Sequence, residues 1–242
     1  MQIIQSTFNS SSFNLAAEEF LFSECQNELL FLYVNEPSVI IGCNQVIRNE
    51  VNIEYCKKNN IRIMRRMSGG GAVYHDFGNI NYCFISDKKV GTSTLSADFL
   101  LPVVVVLHEL EIPVEIGKRK DLWLPGGFKI SGTASHIRKN RELHHGTILY
   151  DADLENLYNS LTVIEKDNNL KGISSVPSQV KNVRTYIDEK SDFSFNSADF
   201  FNLILKRFAN YFNCEVKSFT EEQISGVKSI EKYDLSEWTF KK

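Results

Sequence analysis

The sequence lacks the marks of several large protein classes. Its longest apolar run, Phe99 to Leu107, falls far short of the roughly 20 residues a membrane-spanning helix needs. The start, Met1-Gln2-Ile3-Ile4-Gln5, has neither the basic opening nor the apolar core of a secretory signal. Positive charge is not in excess: 27 Lys and Arg stand against 30 Asp and Glu, for a net charge of -3. There is thus no electrostatic footprint for a nucleic-acid backbone. The five cysteines, Cys25, Cys43, Cys56, Cys83 and Cys214, are an odd set without a C-x-x-C pair, which argues against a disulfide framework and a zinc site. Repeats, low-complexity tracts and an obvious linker are also missing. The expectation is a cytoplasmic protein with reduced cysteines that binds neither nucleic acid nor membrane.

At 242 residues and 43% hydrophobic, the chain can bury a sizeable core. We read residues 1–242 as a single domain, with about 220–242 as a C-terminal extension. Its most unusual stretch is Met64-Arg65-Arg66-Met67-Ser68-Gly69-Gly70-Gly71-Ala72-Val73-Tyr74-His75-Asp76. Three consecutive glycines cost conformational entropy, which a chain accepts where its backbone must approach something closely or take positive φ. Their N–H groups can point at an anion, with Arg65 or Arg66 supplying formal charge, so the stretch reads as a phosphate or carboxylate site. A glycine-rich hairpin with two solvated arginines is the alternative. Ile61 to Met64 and Ala72 to Tyr74 read as flanking strands, and no Gly-Lys-Ser/Thr and no helix follows. The unit is therefore neither a P-loop nor a Rossmann fingerprint.

Further strands are expected at Gln2 to Thr7, Leu29 to Val34 and Ser38 to Gly42, with another at Asn79 to Ile85 returning beside the glycine unit. Val114 to Ile116, Asp121 to Leu124, Phe128 to Ala134, Leu143 to Tyr150 and Glu215 to Phe219 complete the set. Amphipathic spacing predicts helices at Phe13 to Phe22, Asn49 to Asn60, Asp153 to Leu161 and Ser197 to Phe212, the last burying Phe200, Phe201, Ile204, Phe208 and Tyr211. A further helix over Ser96 to Leu110 is expected to be kinked or to begin late, because of Pro102. The run of short strands in the middle third points to an α+β fold whose mixed, largely antiparallel sheet is flanked by helices.

Lys129 lies between Phe128 and Ile130 and, on a strand, faces away from both. It fits either a solvated lysine on an edge strand or a cation in a cleft, ready for a carboxylate or phosphate oxygen. His144 and His145 alternate faces, so at most one of them enters a site from a regular strand. Lys171 to Ser178 is a small, polar loop suited to lining a ligand.

Together these segments resemble the lipoate-protein ligase A family. Arg65 to Asp76 is similar to its arginine-glycine signature, Lys129-Ile130-Ser131-Gly132-Thr133-Ala134 to its lysine segment, and Leu143-His144-His145-Gly146-Thr147-Ile148-Leu149 to its double-histidine strand. Phe13-Asn14-Leu15-Ala16-Ala17-Glu18-Glu19, Val39-Ile40-Ile41-Gly42 and Lys171-Gly172-Ile173-Ser174-Ser175-Val176 fall in the family's order. The resemblance implies the fold shared with biotin-protein ligases and class II aminoacyl-tRNA synthetases. It also implies a two-step reaction: lipoate and ATP give lipoyl-AMP and pyrophosphate, and a lysine of a lipoyl carrier domain then takes the acyl group. Such carriers are 2-oxoacid dehydrogenase subunits or the glycine-cleavage carrier protein.

Carried over by resemblance, Lys129 is the catalytic residue, an electrostatic clamp on the lipoyl carbonyl and the α-phosphate. Arg66, Gly71, Ala72, Val73, Tyr74, His75, Asn79, Asp121 and Lys129 would bind ATP, with Asp121 holding Mg²⁺. Ser68, Gly70, Lys129, Ser131, Gly132, Ala134, His145 and Gly146 would bind lipoate. Cys43 stands where the family usually has a basic residue, and Lys120 where an asparagine is usual. The chain ends soon after Glu237-Trp238-Thr239-Phe240, near where two-domain ligases cross into a C-terminal accessory domain. The form implied lacks that domain, whose role a separate polypeptide could fill. Two rivals are an ATP-independent octanoyl or lipoyl transferase of the same fold and a non-catalytic lipoyl- or nucleotide-binding protein. The transferase needs an activated thiolate in the pocket, and Cys43 is the cysteine nearest the motif residues.

Overall fold

A computed structural model describes residues 1–88, 97–163, 166–167, 169–189 and 195–241. Strand β1 (Gln2–Gln5) leads into α1 (Ser11–Glu24), whose N-terminus is closed by Ser10: its Oγ accepts from the Phe13 N–H. Then come β2 (Leu29–Val34), β3 (Ser38–Ile41), the short α2 (Ile53–Lys58), β4 (Arg62–Arg65), β5 (Val73–His75) and β6 (Asn79–Asp87). Helix α3 (Leu101–His108) starts with Pro102 in its first turn, where a missing N–H costs nothing. Ser96, the expected helix start, lies outside the described residues; the late beginning is as expected. The middle third supplies β7 (Glu115–Ile116), β8 (Leu122–Leu124), β9 (Phe128–Ser131), β10 (Thr133–Arg138) and β11 (Arg141–Leu149). After these run α4 (Leu154–Leu161), α5 (Val183–Asp188), α6 (Ser197–Phe212), β12 (Val216–Ser218), α7 (Glu221–Lys228) and α8 (Ser236–Thr239).

The principal sheet has the order β10-β11-β6-β2-β1-β12, antiparallel except where β1 pairs with β2 and β12. The α+β expectation is borne out. Two buried layers sandwich this sheet. On one face, α3 and α6 place Val103, Val106, Phe200, Ile204 and Phe208 against Leu30, Leu32 and Phe84. On the other, α1 and the C-terminal segment place Leu15, Leu21, Val227 and Tyr233 against Phe31, Cys83 and Ile85. A smaller sheet, β4-β3-β5, packs under α2 and α4 through Cys56, Ile61 and Leu157, and β7-β8-β9 forms a third.

Several expectations need correcting. The glycine loop is not a hairpin: β3 lies between β4 and β5, so the loop crosses over the end of β3. Strand β6 does not return beside this unit but pairs with β2 and β11, because its unbroken apolar run suits the centre of the larger sheet. The strand expected over Phe128 to Ala134 is two strands in different sheets, parted at Gly132. Of Asn49 to Asn60, the α-helix is confined to Ile53–Lys58, capped by the Asn52 side chain on the Tyr55 N–H, while Asn49 closes a 3-10 turn before it. On α6, Tyr211 is exposed and Leu205 is buried in its place.

Candidate functional site

Two adjoining cavities open where the three sheets meet. The first, about 310 Å³, runs from exposed Arg119, Ser174 and Val176 down to Leu15, Tyr33, Ile40 and His75, all at least nine-tenths buried. The second, about 400 Å³, lies against α4 and is lined by Tyr74, Asn79, Ser131, Leu149 and Leu157. Both volumes suit a small molecule or a substantial part of one. Ala72, Val73, Lys129, Gly132, Thr147 and Ser175 line both cavities, so a single wall separates them.

Lys129 stands on that wall. Its main chain is pinned by the 171–181 loop: the Lys129 N–H donates to the Gln179 carbonyl at 2.8 Å, and a parallel bridge pairs Lys129 with Val180. Its ammonium lies 3.3 Å from Asp121 Oδ2, which Arg119 also approaches at 3.7 Å. Burial lowers the Lys129 pKa, and the Asp121 carboxylate resists without cancelling it. Burial would raise Asp121, but the Trp123 side chain and Lys129 outweigh it and hold the carboxyl below its ordinary value.

The glycine loop is built from close approaches. Gly70 takes φ +86°, and a Cβ on Gly42 beneath it would lie 2.3 Å from the Gly70 carbonyl oxygen. Arg66 does not extend into solvent: its guanidinium donates to the Ile40, Gly69 and Gly71 carbonyls and to Ser68 Oγ. Burial pulls it down to about 10, with partial compensation from Glu18. Arg65 is also buried, donating to the carbonyls of Gly42, Cys43 and Gln45 and, across the fold, to those of Thr239 and Lys241. Both arginines therefore brace the loop instead of lying beside it as solvated cations. Ser175 holds it from outside, its Oγ accepting from the Ala72 N–H at 2.8 Å and from Gln45 Nε2 at 3.0 Å.

His145 enters the first cavity and His144 does not, as alternation requires. The Glu18 carboxylate holds His145 Nδ1 at 2.8 Å, and in the neutral ring Nε2 accepts from the Ser68 hydroxyl at 2.7 Å. His144 turns to Ser135 and stacks on Phe99. The same alternation on β5 separates two residues expected together with the nucleotide. His75 lines the first cavity, and Tyr74 lines the second with Asn79. Arg66, Gly70, Gly71, Asp121, Ala134 and Gly146 also line the first. Ser68 is wholly buried behind it and contributes through His145.

Sequence reasoning missed Glu18 and the cavity-lining Tyr33, Asn81 and Arg119, whereas Ser175 falls in the loop read as lining a ligand. Glu18 carried a signal: Leu15, Glu18 and Phe22 follow helical spacing, which puts an acid on the apolar stripe of α1. None of the five cysteines lines either cavity; Cys83 is fully buried beside Glu18, where burial first and that carboxylate second push its thiol well up.

The model of the family described as "Lipoyl protein ligase A/B catalytic domain" matches residues 10–209. The lipoate-protein ligase LplJ of Bacillus subtilis is 38% identical over 184 residues, which cover 75% of this chain and 55% of that protein. Lipoate-protein ligase 1 of Staphylococcus aureus is 33% identical over 242 residues, covering 98% of this chain and 72% of its own. Among solved structures, lipoate-protein ligase A bound with ATP superposes with a TM-score of 0.80 at 28% identity, over 99% of this chain and 98% of that one. The bi-partite lipoate protein ligase from Thermoplasma acidophilum, described with its E2 lipoyl domain, gives a TM-score of 0.79 at 26% identity, over 99% and 95%. This chain belongs to the lipoyl protein ligase A/B catalytic domain family, and within it resembles the lipoate-protein ligases. It spans little more than half the length of the Bacillus relative.

Proposed function

We propose that the protein joins lipoate to ATP, releasing pyrophosphate, and passes the lipoyl group from lipoyl-AMP to a lysine of a lipoyl carrier domain. The observation that carries this reading is Lys129, a cation on the wall between two cavities, where the ends of two anions would meet. A carboxylate attacking an α-phosphate faces charge repulsion, and a fixed ammonium within reach of both lowers that barrier. The first cavity would take the acyl chain, with Gly70, Ala134, His145 and Gly146 leaving room for it. The second would take the nucleotide against Tyr74 and Asn79. Asn79 Oδ1 is buried without a hydrogen-bond partner among the described residues, and an exocyclic amine of a purine base would satisfy it.

Mg²⁺ would neutralise triphosphate charge, held on the protein side by Asp121; a single carboxylate with phosphate oxygens and water is a common Mg²⁺ donor set. No group of three His, Cys, Asp or Glu that could hold a metal ion occurs among the described residues. The chain would act as a single catalytic domain in the cytoplasm on 2-oxoacid dehydrogenase or glycine-cleavage carriers.

The test is to incubate the protein with lipoate, Mg²⁺ and a lipoyl carrier domain, with and without ATP, reading carrier mass and pyrophosphate. An ATP-dependent lipoyl adduct supports the reading. Pyrophosphate without an adduct would mean that transfer needs a separate accessory polypeptide. Acyl transfer from an acylated donor domain without ATP would overturn it.

A further inference from the structure

We propose that Trp123 is a positioning residue: its indole N–H holds one oxygen of the Asp121 carboxylate, so that only the other faces Lys129 and two donors of the ammonium stay free for the reacting anions. This rests on the reading of Lys129 as the cation shared by those two anions.

Strand geometry brings the three side chains together. Trp123 on β8 pairs directly with Lys129 on β9, and cross-strand partners share one face of a sheet. Asp121 stands two residues before Trp123, so alternation sends it to the same face. The turn leading into β8 is closed by the Gly117 N–H, which donates to the Asp121 carbonyl at 2.7 Å.

The carboxylate is divided between its two neighbours. The Trp123 side chain hydrogen-bonds to it. Oδ2 makes no hydrogen bond among the described residues and meets the Lys129 ammonium at 3.3 Å as an ion pair, so the oxygen that accepts from the indole is Oδ1. Gly117 shows how closely donor and acceptor converge: a Cβ there would lie 2.3 Å from Asp121 Oδ1 and 2.5 Å from Trp123 Nε1. Asp121 borders two spaces, the first cavity and an open hollow of about 400 Å³ that Ile116, Gly117 and Trp123 also line. Trp123 lines the hollow and neither of the two cavities, so it acts through Asp121 instead of touching substrate.

An ammonium has three N–H donors. A carboxylate free to turn about its last bond can present both oxygens and occupy two of them. Held at Oδ1, it occupies one, which leaves one donor for a substrate carboxylate and one for an α-phosphate oxygen. The indole is a donor without charge, so it fixes Asp121 without competing for the phosphates.

The test pairs NMR with lipoate-dependent ATP–pyrophosphate exchange. The chain has two tryptophans, so two indole N–H signals are expected, and replacing either residue by Phe assigns both. Asp121→Asn should move the Trp123 signal upfield, because a neutral acceptor polarises the N–H less. The signal of Trp238, which donates to the Arg65 carbonyl, should stay in place. Trp123→Phe keeps a ring and removes the donor; it should lower kcat about tenfold and leave the KM values for lipoate and ATP within about twofold. Trp123→His, which restores an N–H, should recover part of the loss. Wild-type kcat in Trp123→Phe, or a Trp123 signal that Asp121→Asn does not move, would overturn the inference and leave the ligase reading intact. No exchange by wild type would overturn the ligase reading and this inference with it.

Discussion

Replacing Gly42 by alanine tests how closely the glycine loop must sit on β3. The added Cβ would lie 2.3 Å from the Gly70 carbonyl oxygen and 3.1 Å from both the carbonyl carbon and oxygen of Gly69. All of these are backbone atoms, so no side chain can swing aside. Ordinary contact begins near 3.4 Å, which obliges the loop to lift by about 1 Å. Two braces resist that movement: the Cys43 N–H donates to the Ser68 carbonyl at 2.8 Å, and Arg66 grips the Gly69 and Gly71 carbonyls. Overpacking of this kind costs about 1–3 kcal/mol, which in a chain of this size lowers Tm by roughly 2–12 °C. The effect on chemistry should be larger than that on stability, because a 1 Å displacement of a positioned group costs on the order of 10²-fold in rate. Lipoate-dependent ATP–pyrophosphate exchange at a temperature where the variant is folded separates the two effects. Exchange within twofold of wild type, with an unchanged melting curve, would refute the claim that the loop has no slack.

Lys129→Ala should reduce exchange by at least roughly 10²-fold with the fold retained, and Lys129→Arg should recover little, because a planar fork does not replace a compact ammonium; circular dichroism and exchange rates check both. Asp121 raises the Lys129 pKa, so Asp121→Asn should move the alkaline limb of the kcat/KM profile to lower pH, and an unmoved limb would exclude Lys129 as the titrating group. His75 bears on acid stability. It is neutral when folded down to about pH 3, whereas an unfolded histidine titrates near 6.5. The unfolded state binds the extra proton, so stability is full above about pH 6.5 and falls as pH drops toward 3, by at most about 1.4 kcal/mol per pH unit. Urea unfolding followed against pH should show a shallower acid slope in His75→Phe than in wild type.

Most single elements were legible because they rest on local signals. Apolar spacing marked α1, α4 and α6, and the residues just before them, Ser10, Asp153 and Asn196, cap them. What eluded the sequence was pairing across distance. Val39 to Ile41 and the two strands flanking the glycines were each readable, yet nothing local says that β3 lies between the other two. Phe128 to Ala134 reads as one strand because the parting at Gly132 depends on the remote Val180 and Thr147 backbones. Near the C-terminal end, Thr220 and Gln223 form a capping box that announces α7, a purely local signal outside the strands and helices expected there. At the site, residue types were readable but not their cavities: Tyr74 and His75 are neighbours in sequence that strand alternation sends into different compartments.

Arg65 also imposes an order on biosynthesis. Its guanidinium is shared between carbonyls near it in the chain, at Gly42, Cys43 and Gln45, and carbonyls at Thr239 and Lys241, made more than 170 residues later. Strand β1 waits similarly, since its outer partner β12 begins at Val216. On the ribosome, the floor of the glycine loop therefore holds an unfinished cation until Thr239 and Lys241 emerge. A nascent protein stalled short of residue 239 carries every residue of both cavities and still lacks the closed loop on which they depend.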